Sequence, residues 1–244
     1  MTDAGLVAPT HGFDFGQFEV LTFDCYGTLI DWEMGILGGI RRVLAARGLD
    51  LTDDQILEGY ARHEAALEAG PYQTYRAVLA GSLGGLADEL GIEVTAEELA
   101  AFGESVPGWP AFDDSTDALR RLAGRYRLGV ITNCDDDLFA GSALQLEVPF
   151  EWVFTAEQAQ DYKPNVAPFV MALTGIDVPK ERVLHVAQSL YHDHVPAKAL
   201  GLTTAWVNRR HDRPGFGATP PAEATPDVEV PNLTTLADLA VAGD

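Results

Sequence analysis

Apolar positions along the chain follow two different periods. Phe18-Glu19-Val20-Leu21-Thr22-Phe23-Asp24 is a short apolar run that ends on a carboxylate and breaks at Gly27-Thr28, which predicts a strand with a charged residue at its carboxyl end. No comparable β signal returns until Tyr126-Arg127-Leu128-Gly129-Val130-Ile131-Thr132-Asn133. In between, residues 34–47, 53–68 and 71–90 carry apolar side chains at three and four spacing, and Thr95-Ala96-Glu97-Glu98 opens a further helix with a capping pattern. Pro107-Gly108-Trp109-Pro110 ends that helical stretch, and Asp113-Asp114-Ser115 offers N-caps for a helix running to Gly124. Strands and helices then alternate: strand 127–132, helix 136–144, strand 150–154, helix 165–174, strand 182–187, helix 195–200 and strand 203–207. A loop rich in Pro, Gly and Ala from Arg210 to Asp227 precedes the last strand, 228–230, and a closing helix, 234–241. This alternation predicts an α/β fold, a doubly wound (Rossmann-like) parallel sheet core with an inserted helical cap. The expected division is a core of residues 1–30 and 108–244 and a cap of residues 31–107.

Composition narrows the partners. The 244 residues are 47% hydrophobic and 22% charged, ordinary values for a globular chain, and no apolar stretch approaches the roughly 20 residues of a membrane span. Sixteen basic against 37 acidic residues give a net charge of -21, which repels a nucleic acid backbone. Neither nucleic acid nor membrane is an expected partner. A small anionic substrate must be met by local positive charge or by aimed backbone N–H groups. The segment Met1-Thr2-Asp3-Ala4-Gly5 has neither the basic nor the apolar part of an export signal, so a cytoplasmic location is expected. Cys25 and Cys134 are too few for a disulfide framework, and neither has a neighbouring base in sequence to make it a thiolate.

Functional residues of a parallel sheet gather at the carboxyl ends of its strands. Asp24, Thr132 with Asn133, Lys163 and Asp193 all fall at such ends or in the loops after them. The segments Phe23-Asp24-Cys25-Tyr26-Gly27-Thr28-Leu29, Ile131-Thr132-Asn133, Tyr162-Lys163-Pro164 and His185-Val186-Ala187-Gln188-Ser189 followed by Asp193 resemble the four ordered motifs of the haloacid dehalogenase-like (HAD) superfamily. The resemblance spans the core and is strongest to the type II 2-haloacid dehalogenases, which carry tyrosine two places after the nucleophile and a helical cap after the first motif. It implies hydrolytic displacement of halide from short 2-haloalkanoic acids or haloacetate, with Asp24 as nucleophile.

The residues fit such a mechanism. Lys163 beside Asp24 would keep it ionised, Thr132 and Asn133 can hydrogen-bond a carboxylate, and Asp193 can orient or deprotonate the water that hydrolyses an aspartyl ester. Cys25, Tyr26, Gln188 and Ser189 are assigned to substrate binding. In the phosphatases of the superfamily, Tyr26 would be an aspartate acting as general acid, and Gln188 would be an acidic residue of the Mg²⁺ site. Halide leaves as a weak base and needs no acid, so no cofactor and no metal are expected; a Mg²⁺-dependent small-molecule phosphatase and a non-catalytic metabolite-binding member are the alternatives. The stretch before Asp193 is one residue longer than in the dehalogenases, and their cap arginine has no clear equivalent. Arg62, His63, Tyr72, Tyr75 and Arg76 are the candidate cap contacts to substrate, with Arg62, Tyr72 and Arg76 preferred. His185, His192 and His194 lack the spacing of a zinc site. A homodimer is carried as an open expectation.

Overall fold

Six strands form a parallel sheet in the order β3-β2-β1-β4-β5-β6: β1 (Val20–Phe23), β2 (Arg127–Thr132), β3 (Trp152–Thr155), β4 (Val183–Ala187), β5 (Thr203–Val207) and β6 (Val228–Val230). The computed structural model describes residues 13–213 and 215–242. Every residue of β1 is buried, as expected for a central parallel strand covered on both faces. Because β2 and β4 flank β1 on opposite sides, the chain reverses direction across the sheet at this strand, and Asp24 follows its last residue. That is the switch point at which open α/β sheets hold ligands.

Four helices make up the insertion after β1, ahead of the helix that leads into β2: α1 (Trp32–Ala45), α2 (Asp53–Glu68), α3 (Tyr75–Leu90) and α4 (Ala96–Gly103). Asp31 accepts from the Met34 N–H to start α1, and Thr52/Gln55 and Thr95/Glu98 close full capping boxes on α2 and α4. The predicted helix from 71 begins only at Tyr75. Its Thr74 N-cap makes no side-chain bond; the Asp135 carboxylate instead accepts from the Tyr75 and Arg76 N–H groups at 2.7 and 3.2 Å, tying the helix to the loop after β2. The remaining helices are α5 (Ser115–Ala123), α6 (Asp136–Leu146), α7 (Ala156–Ala159), α8 (Ala167–Gly175), α9 (Val195–Ala199) and α10 (Leu233–Val241). The strand expected at 150–154 sits slightly later, at Trp152–Thr155, in register with Gly129–Thr132. Among the described residues, no helix is long and apolar enough to cross a membrane.

One apolar cluster runs from the sheet face of Phe23, Val130 and Val186 into the helices through Ile36, Tyr60, Val78 and Leu83. A second, around Val20, Ile131, Phe154, Phe169 and Val183, fills the other face of the sheet. The chain passes between sheet and helical insertion through two adjacent segments: Asp31 N–H donates to Pro110 O, Phe112 N–H donates to Leu29 O, and Ile30 pairs with Ala111.

Helix α1 packs closely because of two glycines. A Cβ on Gly35 would lie 2.3 Å from the buried Trp109 ring and one on Gly39 2.5 Å from Phe102, whereas Gly38 faces open space. Gly35→Ala is therefore expected to destabilise the fold by about 1–3 kcal/mol through overpacking. Gly38→Ala, one turn round the helix, should stabilise it by about 0.5–1 kcal/mol through lost backbone freedom in the unfolded chain. Thermal unfolding of the two variants checks the sign of each.

Candidate active site

Three charged side chains meet beneath the insertion. Lys163 Nζ, buried, donates to Asp24 Oδ1 at 2.9 Å, to Asp193 Oδ1 at 2.7 Å and to the Ile131 carbonyl at 2.8 Å, so all three of its N–H groups are used. The ammonium is thus shared between two carboxylates that arrive from β1 and from the loop after β4. Burial alone would push the Lys163 ammonium down, but Asp193 and Asp24 outweigh it and hold it above its ordinary value. For Asp193, burial is overcome by Lys163 and His185, and the carboxyl lies well below the usual range. Burial raises Asp24, Lys163 pulls against that, and Asp193 adds to the rise.

The loop after β1 presents the Asp24 carboxylate. Leu29 and Ile30 N–H groups both donate to Cys25 O, Gly27 N–H donates to Ile30 O, and Gly27 takes φ +93. A side chain at Gly27 would be strained and would press on Trp32. Thr28 Oγ1 donates to Asp24 Oδ2 at 2.7 Å and accepts from the Gln188 N–H at 2.9 Å, which fixes the carboxylate plane from the side opposite Lys163. Beneath this loop Arg209 donates to the Thr28 carbonyl at 2.8 Å and pairs with Asp114 at 2.8 Å. Strand-end reasoning singled out neither Thr28 nor Arg209.

Asp193 reaches Lys163 by an unusual turn. Residues Leu190–His194 form a π turn, with His194 N–H donating to Ser189 O and Val195 N–H donating to Leu190 O. Such a turn absorbs one additional residue. The longer spacing noted in the sequence is taken up there, and the carboxylate still closes on the lysine. His185 Nε2 donates to Asp193 Oδ1 at 3.0 Å, since a carboxylate can only accept, and His185 Nδ1 lies 3.0 Å from Thr22 Oγ1. Asp193 Oδ2 has no protein partner. His192 and His194 are both pushed down to about 4 by burial and stand neutral.

Above these groups lies a small cavity of about 20 Å³, room for about one water, lined by Asp24, Tyr26, Trp32, Glu64, Glu68, Tyr75, Asn133, Lys163, Ser189, His192 and Asp193. Glu64 and Glu68 come from α2 and were not anticipated. They continue the stripe Ile56-Tyr60-Glu64-Glu68, four residues apart, that α2 turns inward. Two acids on the apolar face of a helix are a legible signal of a buried polar site. Tyr60 and Tyr75 hydroxyls donate to Glu64 Oε1 at 2.6 and 3.1 Å, while Asn133 Nδ2 lies 3.3 and 3.4 Å from the two Glu68 oxygens and His192 Nε2 lies 3.6 Å from Glu68 Oε2. Burial raises Glu64 to about 7; for Glu68, burial and then the Glu64 charge push it well above the ordinary carboxyl range.

The other predicted residues divide between the cavity and elsewhere. Asn133 lines it, but its side chain is engaged by residue 163: Oδ1 accepts the Lys163 N–H at 2.8 Å and Nδ2 donates to the Lys163 carbonyl at 2.9 Å. Ser189 lines it and accepts the His192 N–H, capping the π turn. Tyr26 contributes its ring, its hydroxyl being occupied with Ser142 Oγ at 3.0 Å and the Cys134 thiol, which donates to it at 3.3 Å. Thr132 is buried outside the lining, and its hydroxyl has no partner. Cys25 is buried and also off the lining, with burial raising its thiol well above its usual value, as it does that of Cys134.

Four expectations are corrected by placement. Arg62 projects from the opposite face of α2, 57% exposed, and pairs with Glu89 at 2.8 Å, where His63 joins it. Arg76 is spent on Asp135, Glu104 and Asp137, bracing α3 against the start of α6. Tyr72 stacks on Tyr162 with ring centroids 5.5 Å apart, outside the lining. The Gln188 side chain lies by Thr219 and Gly27 on the far side of the nucleophile loop, and only its backbone N–H serves the site. Of the five candidates from the helical insertion, Tyr75 is the one that lines the cavity.

A divalent cation does not fit the residues present. The Lys163 ammonium occupies the space between Asp24 and Asp193, Thr28 holds the second Asp24 oxygen, and Tyr26 and Gln188 bring no carboxylate. Among the described residues, no group of three or more His, Cys, Asp or Glu is arranged to hold a metal ion.

Comparison with known proteins gives the family and the fold. Residues 18–201 match the haloacid dehalogenase-like hydrolase family. An (S)-2-haloacid dehalogenase of Pseudomonas putida is 24% identical over 234 residues, covering 92% of this chain and 97% of that protein. Among solved structures, the L-2-haloacid dehalogenase of Xanthobacter autotrophicus superposes with a TM-score of 0.76 at 20% identity, over 93% of this chain and 99% of that one. The HAD hydrolase YfnB of Bacillus subtilis, solved bound to magnesium, gives 0.74 at 21% identity over 91% and 98%. At these identities the solved structures share the fold.

Proposed function

Since the chain belongs to the haloacid dehalogenase-like hydrolases, we propose that it displaces halide from short 2-haloalkanoic acids or haloacetate through an ester on Asp24, without a metal. The observation that carries this reading is the Asp24–Lys163–Asp193 bridge, together with the absence of any carboxylate or free hydroxyl from position 26. Lys163 keeps Asp24 ionised in a buried setting and Thr28 orients it, which is what a carboxylate nucleophile needs. With Tyr26 bonded to Ser142 and Cys134, the core presents no acid at that position, and chloride or bromide leaves without one. One Asp24 oxygen forms the C–O bond as the C–X bond breaks, and halide takes the bonding pair. Water then attacks the Asp24 carbonyl carbon. Asp193, held far below the usual carboxyl range, is a poor base; with Oδ2 uncommitted it acts chiefly by orienting that water.

As it stands the cavity holds about one water, so even a substrate of two or three carbons needs it to open. Residues 31–107 are read as a cap that must move aside to admit it and then closes to exclude water. Chloroacetate and 2-chloropropionate are expected to release halide at the same rate with and without excess chelator, while phosphate monoesters release none. Phosphate release that requires Mg²⁺, with no halide release from any haloacid, would overturn the reading.

A further inference from the structure

The cavity holds four carboxyl groups against one ammonium, and the mechanism above uses only the two from the core. Asp24 and Asp193 divide Lys163 between them. Glu64 and Glu68 have no cation of their own: His192 is neutral, and Lys163, whose three N–H groups are committed elsewhere, acts on Glu68 only through its charge. A closed cavity of this size does not sustain three uncompensated negative charges beside an anionic substrate, so protons must reside on the cap pair. The surroundings also say which partner keeps its proton. Glu64 Oε1 receives two tyrosine hydroxyls, contacts that favour its ionised form, whereas Glu68 has only the long contacts to Asn133 and His192.

On the reading that Asp24 attacks a halogen-bearing carbon, we propose that Glu68 is the general acid of this active site: from α2 it supplies a proton to the departing atom, a role that Tyr26, its hydroxyl committed to Ser142 and Cys134, does not fill. As the Asp24 oxygen bonds to carbon and the C–X bond breaks, X takes the bonding pair and the Glu68 proton, leaving HX and a Glu68 carboxylate. The proton returns from the water that hydrolyses the ester, so the sum is R–X plus water giving R–OH plus HX. Bromide and chloride are such weak bases that this proton matters little to them. Fluoride is the most basic halide and breaks the strongest carbon–halogen bond, so the substrate class that benefits is the 2-fluoro acids.

Several groups bear on the titration of Glu68. From the cap they are Glu64, Tyr60 and Tyr75; from the core they are Asn133, Lys163, His192, Asp24 and Asp193. The raised Glu68 carboxyl holds its proton to higher pH than an ordinary glutamate and loses it as pH rises, so acid assistance fades toward alkaline pH.

Single-turnover halide release from fluoroacetate, chloroacetate and bromoacetate, measured between about pH 5 and 9 for the wild type and Glu68→Gln, tests this. Glutamine preserves shape and neutrality but has no acidic proton. The expected result is a fluoride-release rate lowered by about 10²–10⁴-fold in E68Q, with bromide release within about fivefold of wild type. In the wild type, fluoride release alone should decline with rising pH. Equal losses on all three halides would overturn the proposal by making Glu68 a positioning residue. So would a wild type that releases bromide but never fluoride. No halide from any haloacetate would instead sink the dehalogenase reading, and this proposal with it.

Discussion

Asp24→Asn is expected to lower halide release by about 10⁴-fold or more while the protein stays folded. The two halves of that expectation have separate causes. Chemically, an amide oxygen is a far weaker nucleophile than a carboxylate, and no other lining carboxyl can replace it: Asp193 is held by Lys163 and His185, Glu64 by Tyr60 and Tyr75, and Glu68, raised by burial and the Glu64 charge, favours its protonated form. Structurally, the amide oxygen still accepts from Thr28 or from Lys163, and one buried charge is removed. Lys163 keeps Asp193 as its counter-ion. Substrate affinity should change little or rise, because an anion then meets one fewer negative charge. Steady-state halide release with a thermal melt on the same sample checks both halves. Single turnover of the wild type in heavy-oxygen water, followed by mass spectrometry of the protein, probes the intermediate. Oxygen label should appear in the Asp24 carboxylate, and its absence after a demonstrated turnover would rule out the ester.

How far the sequence discloses this site depends on the kind of interaction involved. Asp24, Asn133, Lys163 and Asp193 come together because short continuous apolar runs mark the strand ends and the alternation of strands and helices fixes a parallel sheet, both of which are legible in the sequence. The π turn at Leu190–His194 was visible only as a surplus residue before Asp193, since nothing in local propensity distinguishes a widened turn from a loop. The cap side misled more. The resemblance to the dehalogenases points to an arginine there, yet Arg62 lies on the outward face of α2 and Arg76 is held by three carboxylates. The residues α2 does turn inward, Glu64 and Glu68, were hidden by the ordinary expectation that glutamates on a helix are solvated. Their four-residue spacing from Ile56 and Tyr60 was the available clue. Arg209 lies in the long segment after β5, where sequence carries no periodic signal, and its contact with the Thr28 carbonyl depends on tertiary placement alone.

Lys163→Met should remove activity by about 10³-fold or more and make stability strongly pH-dependent. Without the ammonium, Asp24 and Asp193 face each other in a buried site with no cation between them, and both carboxyls move up. The nucleophile would then be largely protonated near neutrality. Breaking a buried pair by deleting one partner costs about 3–5 kcal/mol, and here one deletion strands two carboxylates. The sign with pH follows from proton counts: carboxyls raised above their unfolded values bind more protons in the folded state, so stability is retained at low pH and lost as pH rises through the raised values. The variant's melting temperature should therefore fall between about pH 5 and pH 8 by more than that of the wild type. Arginine is not expected to rescue it. Lys163 satisfies three acceptors that converge on one nitrogen, a geometry that a planar guanidinium cannot reproduce in a fully packed site. A Lys163→Met enzyme within tenfold of wild-type kcat at neutral pH would show that burial and Thr28 suffice to keep Asp24 ionised, and the electrostatic account of the nucleophile would have to be rebuilt around the loop after β1 rather than around the lysine.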